Sequence, residues 1–166
     1  MAEHVNVYER LARYLDNLPG GFPRTESGVE MRILRRMFTP EDAEMMQHIT
    51  LLPEAPHVIA RRMGIPAEQA AHRLESMNQK GLLFSICGED GSMRYLAQFY
   101  AIGFWEGQVN RLDPELARDC EEYFQTYGDP EWWRKNPQLR TIPVGESVPH
   151  DATILPYEQA ETIVRR

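Results

Sequence analysis

The chain has few cysteines and no long apolar run, and these absences exclude several classes of protein. Only Cys87 and Cys120 occur in its 166 residues, so the sequence holds no disulfide framework. No apolar stretch approaches twenty residues, and we therefore expect no membrane span. The N-terminus lacks an apolar signal-peptide core and is acidic from the start. These features predict a cytoplasmic protein whose thiols stay reduced.

The sequence also lacks the motifs that carry catalysis or metal binding. It contains no Gly-rich phosphate loop, no G-x-S-x-G and no H-E-x-x-H. No two histidines are spaced i,i+4, and none lies near a cysteine in sequence. The five histidines are His4, His48, His57, His72 and His150. We therefore expect no catalytic residue, no metal ligand and no cofactor bound within this chain.

Positive charge is not in excess where a nucleic-acid-binding protein needs it. The net charge is −7, and the isoelectric point is about 5.3. Residues 54–98 carry five acidic and five basic groups. Affinity for duplex DNA comes largely from neutralising phosphates with Lys and Arg, although a local basic patch is sufficient in some acidic proteins. The charge balance therefore argues against DNA binding without excluding it.

The most informative pattern runs from residue 53 to residue 97. Two stripes of apolar residues at helical spacing, separated by Gly64, are followed by two short alternating strands around a Gly-rich turn. Helix, tight turn, helix and hairpin is the order of a winged helix-turn-helix. The sequence predicts the helix-turn-helix at about 54–80 and the wing at about 82–97.

Apolar stripes and start signals predict further helices on both sides of this pattern. They begin near Val5 and Thr25, at Thr39-Pro40-Glu41-Asp42 and at Asp113-Pro114. The predicted fold class is mainly α with a small β-hairpin wing. With its flanking helices, this arrangement resembles that of dimeric MarR-type regulators, and the resemblance concerns the fold alone.

The segment Phe99–Leu112 reads as one helix that is apolar over most of its circumference. Such a helix is central in its own domain or buried against a partner chain. We predict that it forms a homodimer interface. The predicted interface residues are Phe99, Ile102, Phe104, Trp105 and Val109.

The domain boundary is predicted near residue 128. Residues 1–128 form the winged-helix domain with its flanking helices, and residues 129–166 form an extended, proline-containing arm with a terminal helix. That helix carries no stop signal, so the arm is interpreted as a linker to a following domain.

Polar side chains on the predicted helices and wing are candidates for contacting DNA or a protein partner. Arg, Gln and His can bind phosphates and base edges, but the same residues also suit an ordinary solvated helix face. The candidates are Arg61, Arg62, Gln69, His72, Arg73 and Arg94. A second basic cluster, Arg32, Arg35 and Arg36, suits phosphate contact, an acidic partner or a solvated face.

Several long phrases of the sequence are similar to a known family. The segments Leu18–Phe38, Gln108–Leu116 and Pro137–Glu146 resemble the N-terminal region of bacterial 4Fe-4S ferredoxin-type proteins. In that family, the helix at Leu155–Ala160 leads into a cysteine-rich ferredoxin domain. The resemblance implies an electron-transfer protein with a [4Fe-4S] cluster only in that following domain. Because a cluster needs four thiolates, no cluster ligand is carried over to this chain.

Two functional hypotheses follow, and neither is an enzyme. The first is a non-catalytic docking or regulatory module of an iron–sulfur electron-transfer protein, whose partner is another protein or the downstream ferredoxin domain. The second is a DNA-binding transcriptional regulator of MarR-like winged-helix type.

Overall fold

The computed structural model describes residues 6–135. This part is mainly helical, with one two-stranded antiparallel sheet. A short 3-10 helix, Glu106–Arg111, lies between the sheet and the last two helices. The other elements, in chain order, are α1 (Val7–Asp16), α2 (Val29–Met37), α3 (Pro40–Met46), α4 (Pro56–Met63), α5 (Ala67–Gln79), β1 (Phe84–Cys87), β2 (Met93–Leu96), α6 (Pro114–Tyr127) and α7 (Pro130–Lys135). The predicted arm beyond α7 and the terminal helix lie outside the described residues.

Two predicted helix starts are confirmed by their capping bonds. The Thr39 hydroxyl accepts from the Asp42 amide at 3.2 Å, and the Asp42 carboxylate accepts from the Thr39 amide at 3.2 Å. Asp113 caps α6 by accepting from the amides of Glu115 and Leu116, at 3.0 and 2.8 Å. Each bond satisfies a backbone N–H that has no partner within the helix.

The start of α2 differs from its prediction by a few residues. Gly28, at φ +66°, is the residue that precedes the helix, and it makes no side-chain cap. Thr25 still contributes, because its hydroxyl accepts from the Val29 amide at 3.2 Å. Thr25 therefore stabilises the helix from a loop position rather than from the helix boundary.

Helix α4, a tight turn and helix α5 follow the predicted order. Gly64 ends α4 at φ +69°, a conformation that glycine adopts without steric cost. Strands β1 and β2 pair in the register Phe84↔Leu96 to Cys87↔Met93. The hairpin begins two residues later than predicted, and Leu82 and Leu83 before it are buried in the core.

A single bridge joins the hairpin to the chain before α4. The Glu54 amide donates to the Tyr95 carbonyl at 3.0 Å, and the Tyr95 amide donates to the Glu54 carbonyl at 2.9 Å. Residue 54 thus lies beside β2, on the edge opposite β1. The bridge fixes the hairpin relative to α4, which begins two residues after Glu54.

The core contains a large aromatic cluster that the helices α1, α2 and α6 help to enclose. Tyr100 lies at its centre, with ring centroids 5.8 Å from Phe22 and 5.0 Å from Tyr123. Tyr127 continues the cluster toward α7, where its ring lies 5.2 Å from that of Trp133. Helix α2 packs on α6, and α1 packs on α2 and α3.

The prediction of one helix over Phe99–Leu112 is wrong. The chain turns between residues 99 and 105, and within this segment the turn is followed by the 3-10 helix Glu106–Arg111. At Gly103, a Cβ atom would lie 2.1 Å from the Phe99 carbonyl oxygen, so this turn requires glycine. Tyr100 and Phe104 point into the aromatic cluster from this turn and are fully buried.

The main chain around Gly81 meets that around Gly107 directly. A Cβ on Gly81 would lie 2.6 Å from the Gly107 oxygen, and Gly81 has φ +71°. Two buried amide side chains hold this junction. Gln98 Nε2 donates to the Gly81 carbonyl at 3.2 Å, and Gln108 Nε2 donates to the Lys80 carbonyl at 2.8 Å. The junction therefore ties the end of α5 to the 3-10 helix.

Candidate partner interface

We call residues 54–97 the helix–hairpin unit and the remaining described residues the aromatic body. The unit holds six of the predicted contact residues, on α4, α5 and β2. Their positions decide whether the basic groups gather into one surface that suits a polyanion.

Arg62 is held by the chain itself. Its guanidinium binds both carboxylate oxygens of Glu54, at 2.6 and 3.1 Å, and also donates to the His48 carbonyl. The hydrogen bonds from Arg62 keep the pKa of Glu54 below its ordinary value, and a bond from the Thr50 hydroxyl adds to this effect. Because its donors are engaged, Arg62 is poorly placed to bind a phosphate.

Arg94 lies beside an acidic turn. Its guanidinium is 3.6 Å from the Asp90 carboxylate. Asp90 accepts from the amide and the hydroxyl of Ser92, at 3.0 and 2.7 Å, and these bonds lower its pKa. The tip of the hairpin therefore presents a plus–minus pair rather than a free cation.

The candidates on α5 lie around a shallow depression that also contains a carboxylate. Gln69 and His72 are exposed and Arg73 is half-buried, and they line the depression together with Pro66 and Glu68. In residues 6–135, neither Arg73 nor Arg61 of α4 forms an ion pair. The unit therefore offers two unpaired arginines, one of which shares its depression with an acidic group.

Two large apolar side chains are exposed on the outer face of the hairpin, and they were not among the predicted contact residues. Phe84 and Ile86 alternate along β1 and are each 48% exposed. Across the sheet, Phe84 faces Leu96 and Ile86 faces Arg94. The alternation of two large apolar residues along a strand is the signal that could have identified this face.

The opposite face of the hairpin packs inward. Tyr95 is buried, and its hydroxyl donates to a Glu75 carboxylate oxygen at 3.0 Å. Burial, together with that carboxylate, raises the pKa of Tyr95 to about 12. Tyr95 thus fixes the hairpin on α5, while Phe84 and Ile86 stay exposed on the outer face within the part of the chain that is described.

The second basic cluster does not form a free positive patch. Arg32 binds Asp119 and Glu122 of α6 at 3.0 and 2.9 Å, and Arg36 binds Glu115 at 2.8 Å. These pairs join α2 to α6 across the surface of the aromatic body. Arg35 differs, because its guanidinium lies 5.8 Å from the centroid of the Tyr8 ring.

The predicted dimer residues do not share one face. Phe104 is fully buried in its own chain, and Trp105 packs on Phe124 with ring centroids 5.7 Å apart. By contrast, Ile102 is 78% exposed and Val109 is 61% exposed. Phe99, the fifth residue, is half-buried. Dimerisation stays a prediction, and it now depends on Ile102 and Val109.

Metal ligands do not gather in the described residues, where no three His, Cys, Asp or Glu side chains come together as a candidate site. Cys87 is exposed on the hairpin and Cys120 is buried in α6. From residue 6 to residue 135, no helix is both long enough and apolar enough to cross a membrane.

The comparisons with known proteins give no neighbour. No protein-family model, curated protein or solved structure matches the chain. The resemblance to ferredoxin-type proteins therefore stays a prediction from its sequence phrases.

Proposed function

We propose that this chain is a non-catalytic docking module of winged-helix type that binds a protein partner through its hairpin. The proposal rests on the contrast between paired arginines and exposed apolar side chains on the helix–hairpin unit. Two of its arginines, Arg62 and Arg94, are paired with carboxylates, while Phe84 and Ile86 present an apolar surface.

The bridge between Glu54 and Tyr95 supports the winged-helix assignment. It places the extended residue before α4 on the free edge of β2, so that the sheet order is residue 54, β2, β1. Extended segment, helix, tight turn, helix and hairpin, with the segment beside the second strand, is the arrangement we expect of a winged helix.

Electrostatics favours a protein over DNA as the partner. A duplex-binding surface gains its affinity by replacing counterions with Lys and Arg. Here the Arg62 donors are occupied, and Glu68 lies in the depression where a phosphate would approach Arg73. The exposed apolar side chains of β1 instead gain free energy when another protein covers them.

The class of partner in this proposal comes from the sequence segments that resemble ferredoxin-type proteins. By resemblance, the module belongs to an iron–sulfur electron-transfer protein, and the [4Fe-4S] cluster is expected in a following or separate ferredoxin domain. We propose that this domain, or a protein that exchanges electrons with it, covers the hairpin.

The proposal is tested by titrating the ¹⁵N-labelled chain with a purified bacterial [4Fe-4S] ferredoxin. We expect saturable chemical-shift changes on β1 and β2, and at least about a tenfold loss of affinity when Phe84 and Ile86 are both replaced by Ser. The matched control is Leu52→Ser, since Leu52 is a large apolar residue outside the hairpin and is 71% exposed. Equal losses in both variants would contradict docking at the hairpin, and no saturable shift would contradict the partner class.

DNA binding remains the second candidate, because Arg61 and Arg73 have no ion pair among the described residues and Gln69 and His72 are exposed on α5. Anisotropy titration on a random duplex separates the two functions. Docking predicts affinity no tighter than about 10⁻⁴ M at physiological salt. Tight binding with a steep salt dependence, lost in Arg61→Ala/Arg73→Ala, would replace the docking function with the regulatory one.

A further inference from the structure

A cleft lined by basic side chains lies at the junction between the helix–hairpin unit and the aromatic body. It has a volume of about 580 Å³ and is lined in part by the side chains of Arg35, Arg36, Lys80 and Arg111. Asp113 is the one acidic residue among its lining residues. This volume is in the range of small-ligand sites.

Helix ends explain why these cations gather in one place. Arg35 and Arg36 lie in the last turn of α2, and Lys80 follows the last residue of α5. Arg111 donates from Nη2 to the Gln79 carbonyl at 2.7 Å, also at the end of α5. Cations are favoured at helix C-termini, where unpaired carbonyls carry partial negative charge.

Among the described residues, carboxylates pair with only two of these four cations. Lys80 binds Asp42 at 2.7 Å, and Arg36 binds Asp113 and Glu115. Within residues 6–135, no carboxylate pairs with Arg35 or Arg111. Asp113 is itself engaged, because one of its oxygens caps α6 while the other binds Arg36.

From the guanidinium groups of Arg35 and Arg111, which pair with no described carboxylate, we propose that the cleft binds a small soluble anion that bears a phosphate group and is held chiefly by these two side chains. The planar guanidinium presents paired N–H donors that match phosphate oxygens. Arg35 is oriented for this role by the Tyr8 ring, and Arg111 by its bond to Gln79. This site is independent of partner docking at the hairpin.

The site is tested by titrating inorganic phosphate into the ¹⁵N-labelled full chain at constant ionic strength. We expect saturable shifts confined to amides around the cleft, with Lys80, Arg111 and Leu116 among them, and weaker binding of malonate. Shifts that are linear and spread over the surface, or equal binding of malonate, would overturn the proposal. The mapping needs no variant, so it stands even if a substitution prevents folding.

Matched substitutions then identify the groups that bind. Arg35→Gln and Arg111→Gln should each weaken phosphate binding by about tenfold or more. Arg118→Gln is the control, since Arg118 is exposed on α6, donates to Pro114 and does not line the cleft. A loss as large in Arg118→Gln would show only general charge attraction and would overturn the site.

Glycerol 3-phosphate and vesicles that contain phosphatidic acid separate a soluble ligand from a lipid headgroup. We expect glycerol 3-phosphate to bind at the same amides as inorganic phosphate. Binding to the vesicles without binding of glycerol 3-phosphate would overturn the assignment to a soluble ligand.

Discussion

The aromatic body and the helix–hairpin unit are built from different side chains. In the part of the chain that is described, every pair of stacked or edge-to-face rings lies in the body, where Phe22, Tyr100 and Tyr123 are fully buried. The unit buries mainly aliphatic residues such as Ile59 and Leu74 and leaves Phe84 half-exposed.

Ion pairs occur in both regions, but among the described residues those that join two helices lie on the body or between the body and the unit. On the body, Arg32 and Arg36 join α2 to α6, so their charges serve to hold two helices together. On the unit, Arg61 is exposed and forms no ion pair among the described residues, and Gln69 and Ile86 are also exposed to solvent. We infer that the body supplies most of the folding free energy, while the unit keeps surface available for a partner.

The largest effect should come from removing a ring of the body. Phe22→Ala should lower the free energy of unfolding by about 3–5 kcal/mol, because it leaves a cavity beside the rings of Tyr100 and Tyr123. Phe84→Ala, the matched change on the unit, should cost less than about 1 kcal/mol. Urea denaturation measures both. Similar losses of unfolding free energy in the two variants would contradict the distinction between the two regions.

A smaller effect should come from a helix cap of the body. Thr39→Ala removes the hydroxyl that accepts from the Asp42 amide and should cost about 1 kcal/mol. The control is Ser76→Ala in α5, which removes a hydroxyl from a helix interior and should change stability by less than about 0.5 kcal/mol. Urea denaturation of the two variants tests this order, and an equal loss would contradict the capping role.

The Glu54–Arg62 ion pair of the unit should contribute less to stability than the Thr39 cap, and its contribution should depend on pH. The pKa of Glu54 is lowered by Arg62, so the stabilisation is complete above the ordinary carboxyl pKa of 4.5 and is lost as the pH falls through the lowered value. Glu54→Gln should lower Tm by about 2–4 °C at neutral pH and by much less near pH 3.

Thermal denaturation at the two pH values measures this difference, with Glu89→Gln as the unpaired control. A deficit in Glu54→Gln that persists unchanged at low pH would show that the ion pair is not its cause. The same variant sharpens the functional comparison, since a freed Arg62 should raise any affinity for duplex DNA and steepen its salt dependence.

The smallest effect on stability should come from the exposed apolar residues near the 3-10 helix. Ile102→Asp/Val109→Asp should leave Tm nearly unchanged, because both side chains lie mainly in solvent. If the chain forms a homodimer through this segment, sedimentation velocity should show the wild type as a dimer and the variant as a monomer. The same mass for both would remove the dimer prediction.

The local features of the fold were predictable because their causes are local. Thr39-Pro40-Glu41-Asp42 contains its own capping box, and Gly64 interrupts a helical stripe where the chain must turn. Alternating residues on each side of the turn at Gly91 specify the hairpin. In each case, the residues that determine the conformation lie within a few positions of one another.

Periodicity could not predict the structure of residues 99–112. Tyr100 and Phe104 have the spacing of two residues on one helix face, but in the structure a turn points both side chains into the core. The glycines at 103 and 107 were the available signal against a helix. The pairing of Arg32 with Asp119 was beyond the reach of the sequence, since 87 residues separate the partners. The charge cluster was visible in the sequence, but its neutralisation depends on how α2 packs on α6.

The contact between Gly81 and Gly107 has a consequence for how the molecule melts. Where peptide groups touch without an intervening side chain, no change of rotamer can accommodate a small displacement. To part the two regions there, the amides of Gln98 and Gln108 must release the carbonyls of Gly81 and Lys80. We therefore expect calorimetry to record one cooperative transition rather than two, despite the different compositions of the regions.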